Sequence, residues 1–318
     1  MQRNAKRRPE TAFTLMGFIQ KIPMRKILSD FRCRTPSDRS SIGNVKTAGF
    51  RMKITLSVIL PVLNNRAGFV NAIDPLIKLE DPGVELVVID GGSTDGTLEE
   101  IRLRERYLAY WESGKDSGIG DAFNRGILHS RGEFVAILNS DDCWEPHTLQ
   151  LFKQYREQYP EASVFYGAIR YMDAIRSYDY VRTPRLATLK YRMSLFHPAM
   201  FIRRTAHERV GLYDTRFTHA MDSEWCHRAY ARQEHFQEIP AVLANVSLGG
   251  VSDREYLMSL QQYRDSVILN RLCTTTEAWC YFFFFATVKW AMRLPLLAPI
   301  KRTRDRFISK RLSFRQAG

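Results

Sequence analysis

The sequence Phe134-Val135-Ala136-Ile137-Leu138-Asn139-Ser140-Asp141-Asp142 is an apolar run of strand length that stops at two adjacent carboxylates. Paired acids at the end of a buried strand either bind a hard cation or cap a following helix, here one that Pro146 would begin. Val84-Glu85-Leu86-Val87-Val88-Ile89-Asp90 also ends on an acid, and Gly91-Gly92-Ser93-Thr94-Asp95-Gly96-Thr97 follows it. Its glycines permit a tight turn that brings backbone close to a ligand. A third acidic stretch, Ala220-Met221-Asp222-Ser223-Glu224, has helix character. Asp222 and Glu224 are two apart, so on a helix they point in different directions and do not share one small site. Residue types alone also allow Asp222 as an N-cap and Glu224 as a first-turn partner of the helix dipole. Cys143, beside the acid pair, reads as a small packing residue because no base lies near it in sequence.

The elements that must position these residues alternate. Ile54-Thr55-Leu56-Ser57-Val58-Ile59-Leu60 is a β-branched, apolar strand that Pro61 is expected to stop. A helix over 69–79, interrupted near Pro75, leads to the strand at 84–90. A helix over 98–106, capped by Thr94 or Asp95, precedes a strand at 107–111, and a turn at Asp116 opens the next helix. This rhythm predicts an α/β fold with a mainly parallel, doubly wound sheet, in which strand 133–138 is interior and ligands bind beyond the carboxyl ends. After the acid pair the pattern loosens into a helix at 146–159, a strand at 163–166, a hairpin near 169–181 and an apolar stretch after His197-Pro198.

The net charge of +13 is uneven. Residues 1–51 carry 12 Lys/Arg against 3 Asp/Glu and residues 276–318 carry 9 against 2, so the body between them is slightly acidic. That distribution argues against a nucleic-acid-binding domain. Five cysteines without a C-x-x-C pair point to a reducing compartment, with neither a disulfide framework nor a zinc site. The apolar run after the first basic residues is short and has no cleavage site, so no secretory signal is expected. The composition shift after residue 51 suggests a disordered basic arm, with Met52 as a possible native start. Near the other end, Trp279-Cys280-Tyr281-Phe282-Phe283-Phe284-Phe285, followed by Lys289, Trp290 and a basic run at 301–311, fits a helix lying in a membrane interface; a buried packing helix is the alternative.

Taken in order, these motifs resemble the family 2 glycosyltransferases of GT-A fold, a Rossmann-like sheet with helices on both faces. Ser57-Val58-Ile59-Leu60-Pro61 resembles the family's opening strand and residues 88–97 its D-G-x-S-x-D-G-T turn. Asp116-Ser117-Gly118-Ile119-Gly120-Asp121-Ala122-Phe123-Asn124-Arg125-Gly126-Ile127 is similar to a motif of members that assemble bacterial polysaccharides. Leu138-Asn139-Ser140-Asp141-Asp142 resembles the metal-binding acidic motif, and His197-Pro198, Gly211-Leu212-Tyr213-Asp214 and Met221-Asp222 resemble the acceptor half.

The resemblance implies that Asp90 holds the nucleotide base, Asp141 lies near the ribose, Asp142 ligates Mg²⁺ or Mn²⁺ and Asp222 is the catalytic base. Pro61, Gly92, Asp116, Asp121 and Asn124 complete the implied nucleotide-binding set. The chain departs from the commonest family pattern at Asn139, where many relatives have Asp, and at Met221, where many have Glu. The expected protein is an inverting transferase using a nucleotide sugar, with a UDP-sugar foremost, and a saccharide or lipid-linked acceptor. The expected organisation is an arm at 1–51, a GT-A domain at 52–250 and a helical segment at 251–318 that docks the enzyme on the inner face of the plasma membrane, in the cytoplasm. A non-catalytic, nucleotide-binding scaffold is the alternative. A dinucleotide-binding dehydrogenase is disfavoured because Pro61-Val62-Leu63-Asn64-Asn65-Arg66 lacks G-x-G-x-x-G.

Overall fold

The computed structural model describes residues 54–173, 178–247 and 255–291. The expectations for the arm at 1–51, for Met52 and for the basic run at 301–311 lie outside the described residues. In chain order the elements begin with β1 (Leu56–Val62), α1 (Arg66–Ile77), β2 (Val84–Asp90), α2 (Thr97–Arg104), β3 (Tyr110–Ser113) and α3 (Ile119–His129). Next come β4 (Phe134–Ile137), β5 (Cys143–Trp144), α4 (Thr148–Gln158), β6 (Val164–Asp173), β7 (Tyr178–Arg182) and β8 (Met200–Arg203). The remainder comprises α5 (Arg204–Val210), α6 (Met221–Ala231), β9 (Phe236–Ser247), α7 (Tyr256–Leu269) and α8 (Thr275–Ala291).

β1 lies between β2 and β4 and runs parallel to both, while β3 extends the parallel set beyond β2. All seven β1 residues are buried. Leu56, Val58 and Leu60 pack on one face with Phe69 and Ile73 of α1 and Phe152 of α4. Ile59 packs on the other with Phe123 and Ile127 of α3 and Trp225 of α6. Covering both faces is what requires a continuous apolar strand rather than an alternating one.

The full order is β3-β2-β1-β4-β8-β6-β9-β5, with β7 paired to the far half of β6. The sheet is therefore mixed and not mainly parallel. β8 is antiparallel to both β4 and β6: the chain reverses between β6 and β7, and residues 183–199, with short 3₁₀ turns, bring it to β8 in the direction of β7.

Three local expectations also change. β1 continues through Pro61. Thr55 and Ile59 carbonyls accept from Phe134 and Leu138, so odd residues of β1 face β4, and Pro61 meets that side just where β4 has ended. α1 likewise runs through Pro75, two residues from its end. The third strand starts at Tyr110, after a 3₁₀ turn at Glu105–Tyr107, and its register sets Ser113 opposite Asp90.

α7 buttresses α6: Gln262 Oε1 accepts from the His219 and Ala220 amides at 2.8 and 3.2 Å, and His227 Nδ1 lies 2.7 Å from Ser266 Oγ. No helix among the described residues is long and apolar enough to cross a membrane.

The entry into β4 is tightly built. Gly132 donates its amide to Ser57 Oγ at 2.8 Å, and Ser57 donates to the buried Glu85 at 2.6 Å. A Cβ on Gly132 would sit 2.6 Å from the Ser57 nitrogen, which is backbone and fixed by the sheet. Gly132→Ala is therefore expected to destabilise the fold by about 1–3 kcal/mol through overpacking. Urea unfolding checks this, with a lower midpoint and an unchanged slope as the expected result.

Candidate active site

The loops after β1, β2 and β4 meet at the carboxyl edge of the parallel strands, where the ends of such sheets bind ligands. Asp90 closes β2 and is fully buried, its carboxylate accepting from the Ser93 amide and from the hydroxyls of Ser93 and Ser113. Gly92 follows with φ +90°, and a Cβ there would lie 3.4 Å from the Lys115 nitrogen, so the turn runs close against residues 114–116. Gly91 faces Asp116 in the same way, its Cβ position 3.0 Å from Asp116 Oδ2.

Two asparagines that the sequence patterns did not single out join these loops. Asn64 donates its amide to Ser93 Oγ at 2.8 Å and accepts the Thr94 amide on Oδ1 at 2.8 Å. Asn65 caps α1 by accepting the Gly68 amide, and its Nδ2 donates to Ser140 Oγ at 3.1 Å. Asp95 accepts the Thr97 and Arg66 amides, although Gly96 is the formal N-cap of α2. Their only sequence signal is that short polar side chains follow a buried strand, which many surface turns share.

Asp116 and Asp121 order the start of α3. Asp116 accepts the Gly118 amide at 2.9 Å and Asp121 accepts the Ser117 amide at 3.1 Å. Asn124 is committed elsewhere: its Nδ2 donates to the Tyr213 carbonyl and its Oδ1 accepts the Tyr213 amide, both at 2.8 Å. That two-way clip fastens α3 to the segment leading to α6.

The acid pair caps nothing. α4 starts at Thr148 with His147 before it and has no side-chain cap. Instead the Asp142 amide closes a turn on the Asn139 carbonyl, and the chain leaves the parallel strands to form β5 against β9. Asp141 is exposed and Ser247 Oγ donates to its carbonyl at 2.8 Å. Asp142 is 4% exposed. Burial, then the charge of Asp141, pushes its carboxyl up to about 7, against the opposing pull of His197, the Ser247 backbone and the Asn139 amide. Cys143 has its thiol pushed up by burial and so stays protonated and unreactive.

His197 comes from the turn before β8 and Asp222 from α6. His197 opens a 3₁₀ turn at the start of β8, and its Nε2 lies 3.0 Å from Asn139 Nδ2. Its Nδ1 lies 3.5 Å from Asp222 Oδ2. Asp222 sits in the first turn of α6, after Ala220 at the N-cap, and its Oδ1 accepts the Ser223 amide at 2.7 Å. Glu224 points away, buried and paired with Arg228 at 2.8 Å, as the two-residue spacing requires. Met221 is buried among Phe123 and Trp225 and contributes packing rather than a polar group.

Among the described residues no three His, Cys, Asp or Glu side chains converge as a metal-binding group. Asn139 Oδ1 is nonetheless buried without a hydrogen-bond partner, beside an Asp142 carboxyl on which no Lys or Arg of the described residues acts. Oxygen donors of this kind suit a hard cation that takes few protein ligands.

Residues 57–220 match the family model of Glycosyl transferase family 2, and the chain belongs to that family. A PGL/p-HBAD biosynthesis glycosyltransferase of Mycobacterium bovis is 27% identical over 216 residues, covering 64% of this chain and 83% of the relative. An uncharacterized glycosyltransferase of Mycobacterium tuberculosis is 30% identical over 181 residues, covering 55% and 68%. Among solved structures, S. aureus TarS 1-349 in complex with UDP superposes with a TM-score of 0.54 at 18% identity, over 67% of this chain and 65% of TarS. This chain thus spans less than two thirds of that neighbour. The mannosyltransferase PcManGT of Pyrobaculum calidifontis, in complex with GDP-Man and Mn²⁺, gives 0.53 at 17% identity over 79% of each chain. These likenesses establish the GT-A-like fold.

The raised carboxyl of Asp142 has a thermodynamic signature. The folded state holds a proton that the unfolded state releases near pH 4, so stability falls as pH rises from about 4 to about 7. In metal-free buffer, Asp142→Asn is expected to melt with the wild type near pH 4 and above it at pH 8. The gain has an upper limit of about 4 kcal/mol, given 1.36 kcal/mol per pKa unit. Thermal melts across that range provide the check.

Proposed function

We propose that this chain is an inverting glycosyltransferase that moves a sugar from a nucleotide sugar, with UDP the nucleotide to test first, onto a saccharide acceptor carried on a lipid. The product would enter a cell-surface polysaccharide or glycolipid. Family membership supports the reaction class. The observation that carries the finer reading is that Asn139, just beyond β4, and Asp222 of α6 meet the two nitrogens of His197, which also acts electrostatically on the Asp142 carboxyl. The printed names of the neighbours support a nucleotide-sugar donor: they hold UDP, UDP-GlcNAc or GDP-Man, the last with Mn²⁺.

In this reading the loops at Pro61, Asp90, Gly92, Asp116, Asp121 and Asp141 hold the nucleotide side. Asp90 and Asn124 act through the turns they fasten, since their polar atoms are already engaged. Asp142, with Asn139 beside it, would bind Mg²⁺ or Mn²⁺, which would offset the charge gathering on the departing nucleotide diphosphate. Asp222, partly exposed on α6, takes the proton of the attacking acceptor hydroxyl. One base and no separate nucleophile make this a single displacement, which inverts the anomeric carbon. Purified protein with Mn²⁺, a UDP- and GDP-sugar panel and membrane extract as acceptor provides the assay. Asp222→Asn is expected to lower transfer by about 10²- to 10⁴-fold, the usual contribution of a general base. Full activity in Asp222→Asn and Asp142→Ala would remove the assigned site, and donor binding without turnover by the wild type would favour the scaffold reading.

The proposed organisation keeps an arm at 1–51, the transferase body at 52–250 and a docking segment at 251–318. α8 exposes Trp279, Phe283, Phe284, Val288 and Trp290 along one side of the helix, while Tyr281, Phe282 and Phe285 are half-buried on the other. An apolar face open to water beside a strongly basic chain end suits the headgroup layer of an anionic membrane, as at the inner, cytoplasmic leaflet. Cosedimentation of the full chain with vesicles containing phosphatidylserine should be strong and salt-sensitive. Replacing Phe283, Phe284 and Trp290 by Ser is expected to abolish it without shifting the melting temperature, because all three are exposed.

A further inference from the structure

We propose that His197 is a positioning residue that orients the Asp222 carboxylate. The inference rests on the reading of Asp222 as the base. Asn139 presents an amide nitrogen, a donor, to His197 Nε2 at 3.0 Å. Nε2 therefore accepts, and the hydrogen of the neutral ring sits on Nδ1, facing Asp222 Oδ2 at 3.5 Å. The other carboxylate oxygen, Oδ1, is held by the Ser223 amide at 2.7 Å and its hydroxyl at 3.3 Å. Each oxygen of Asp222 thus has its own neighbour, Oδ1 bonded by Ser223 of α6 and Oδ2 facing the imidazole at 3.5 Å, so rotation of the carboxylate would change both.

The ring is itself placed from two sides. Its backbone enters β8, whose Ile202 and Arg203 pair with Val135 and Phe134 of β4, so imidazole and Asn139 ride on neighbouring strands of one sheet. Phe123 of α3 packs a tilted ring 5.7 Å from the imidazole. Both side chains stay partly exposed, His197 at 22% and Asp222 at 23%. The pair can therefore meet an acceptor while staying tied to the donor-side loop.

Two measurements test the role. In full-length protein carrying ¹⁵N-histidine, long-range ¹H–¹⁵N spectra should report His197 with the hydrogen on Nδ1, and Asp222→Asn should shift that signal. The opposite tautomer, or indifference to Asp222→Asn, would overturn the proposal whether or not a donor is turned over. In the transfer assay with UDP- and GDP-sugars, His197→Ala is expected to lower kcat by about 10- to 100-fold at unchanged donor KM, the usual effect of an orienting partner. His197→Asn, whose amide reaches the Nδ1 position, should recover most of kcat, whereas His197→Gln should resemble His197→Ala. Combined with Asp222→Asn, the alanine change should add nothing further. Equal losses in all three variants, or additive losses, would reduce His197 to a packing role. An Asp222→Asn protein with full activity would instead defeat the functional reading itself.

Discussion

Burial of β1 on both faces is the constraint on which the rest depends. A strand enclosed by α1 and α4 on one side and by α3 and α6 on the other can hold a polar side chain only where a partner satisfies it, as Glu85 and Gly132 do for Ser57. Every group that must meet water or a charged ligand is displaced to the strand ends. Because β1, β2 and β4 run parallel, their carboxyl ends fall on one edge, and the polar loops gather there as a consequence of packing. Asn64 and Asn65 then stitch those loops to one another, so the edge is pre-organised before any ligand arrives.

The second half of the sheet turns this edge into a site with two sides. An antiparallel β8 between β4 and β6 brings His197 beside Asn139, and the Asn124 clip on Tyr213 sets the approach to α6. Asp142 is buried and Asp222 partly exposed, and His197 faces the latter's carboxylate and acts on the former's. Asp142 is held in a state that favours a proton or a cation over an unpaired charge, because burial penalises the bare carboxylate.

Sequence reading found the parallel half by its rhythm of apolar strands and acid-bearing turns: Asp90 ends β2, Asp116, Asp141 and Asp142 lie on connecting loops, and Asp121 is in the first turn of α3. The same reading could not tell cap from cation site at Asp142, since both demand an acid after a strand. Residues 143–144 exclude the cap by leaving for β9, which removes the acids from the start of α4. Asn124 shows the converse limit: a motif position can be spent on backbone fastening, which no spacing rule distinguishes from ligand contact.

The sequence by itself determined the layers, the family, the acids at the strand ends and the divergence of Asp222 from Glu224, because these follow from local periodicity and residue type. Tertiary structure alone decided that the sheet is mixed, that Pro61 and Pro75 lie inside their elements and that His197 joins Asn139 to Asp222. Those outcomes depend on which strand ends beside which and on contacts between residues 58 and 25 positions apart. Returning to Leu138 and the two acids beyond it, their chemistry was written locally, but their partners were supplied by the fold.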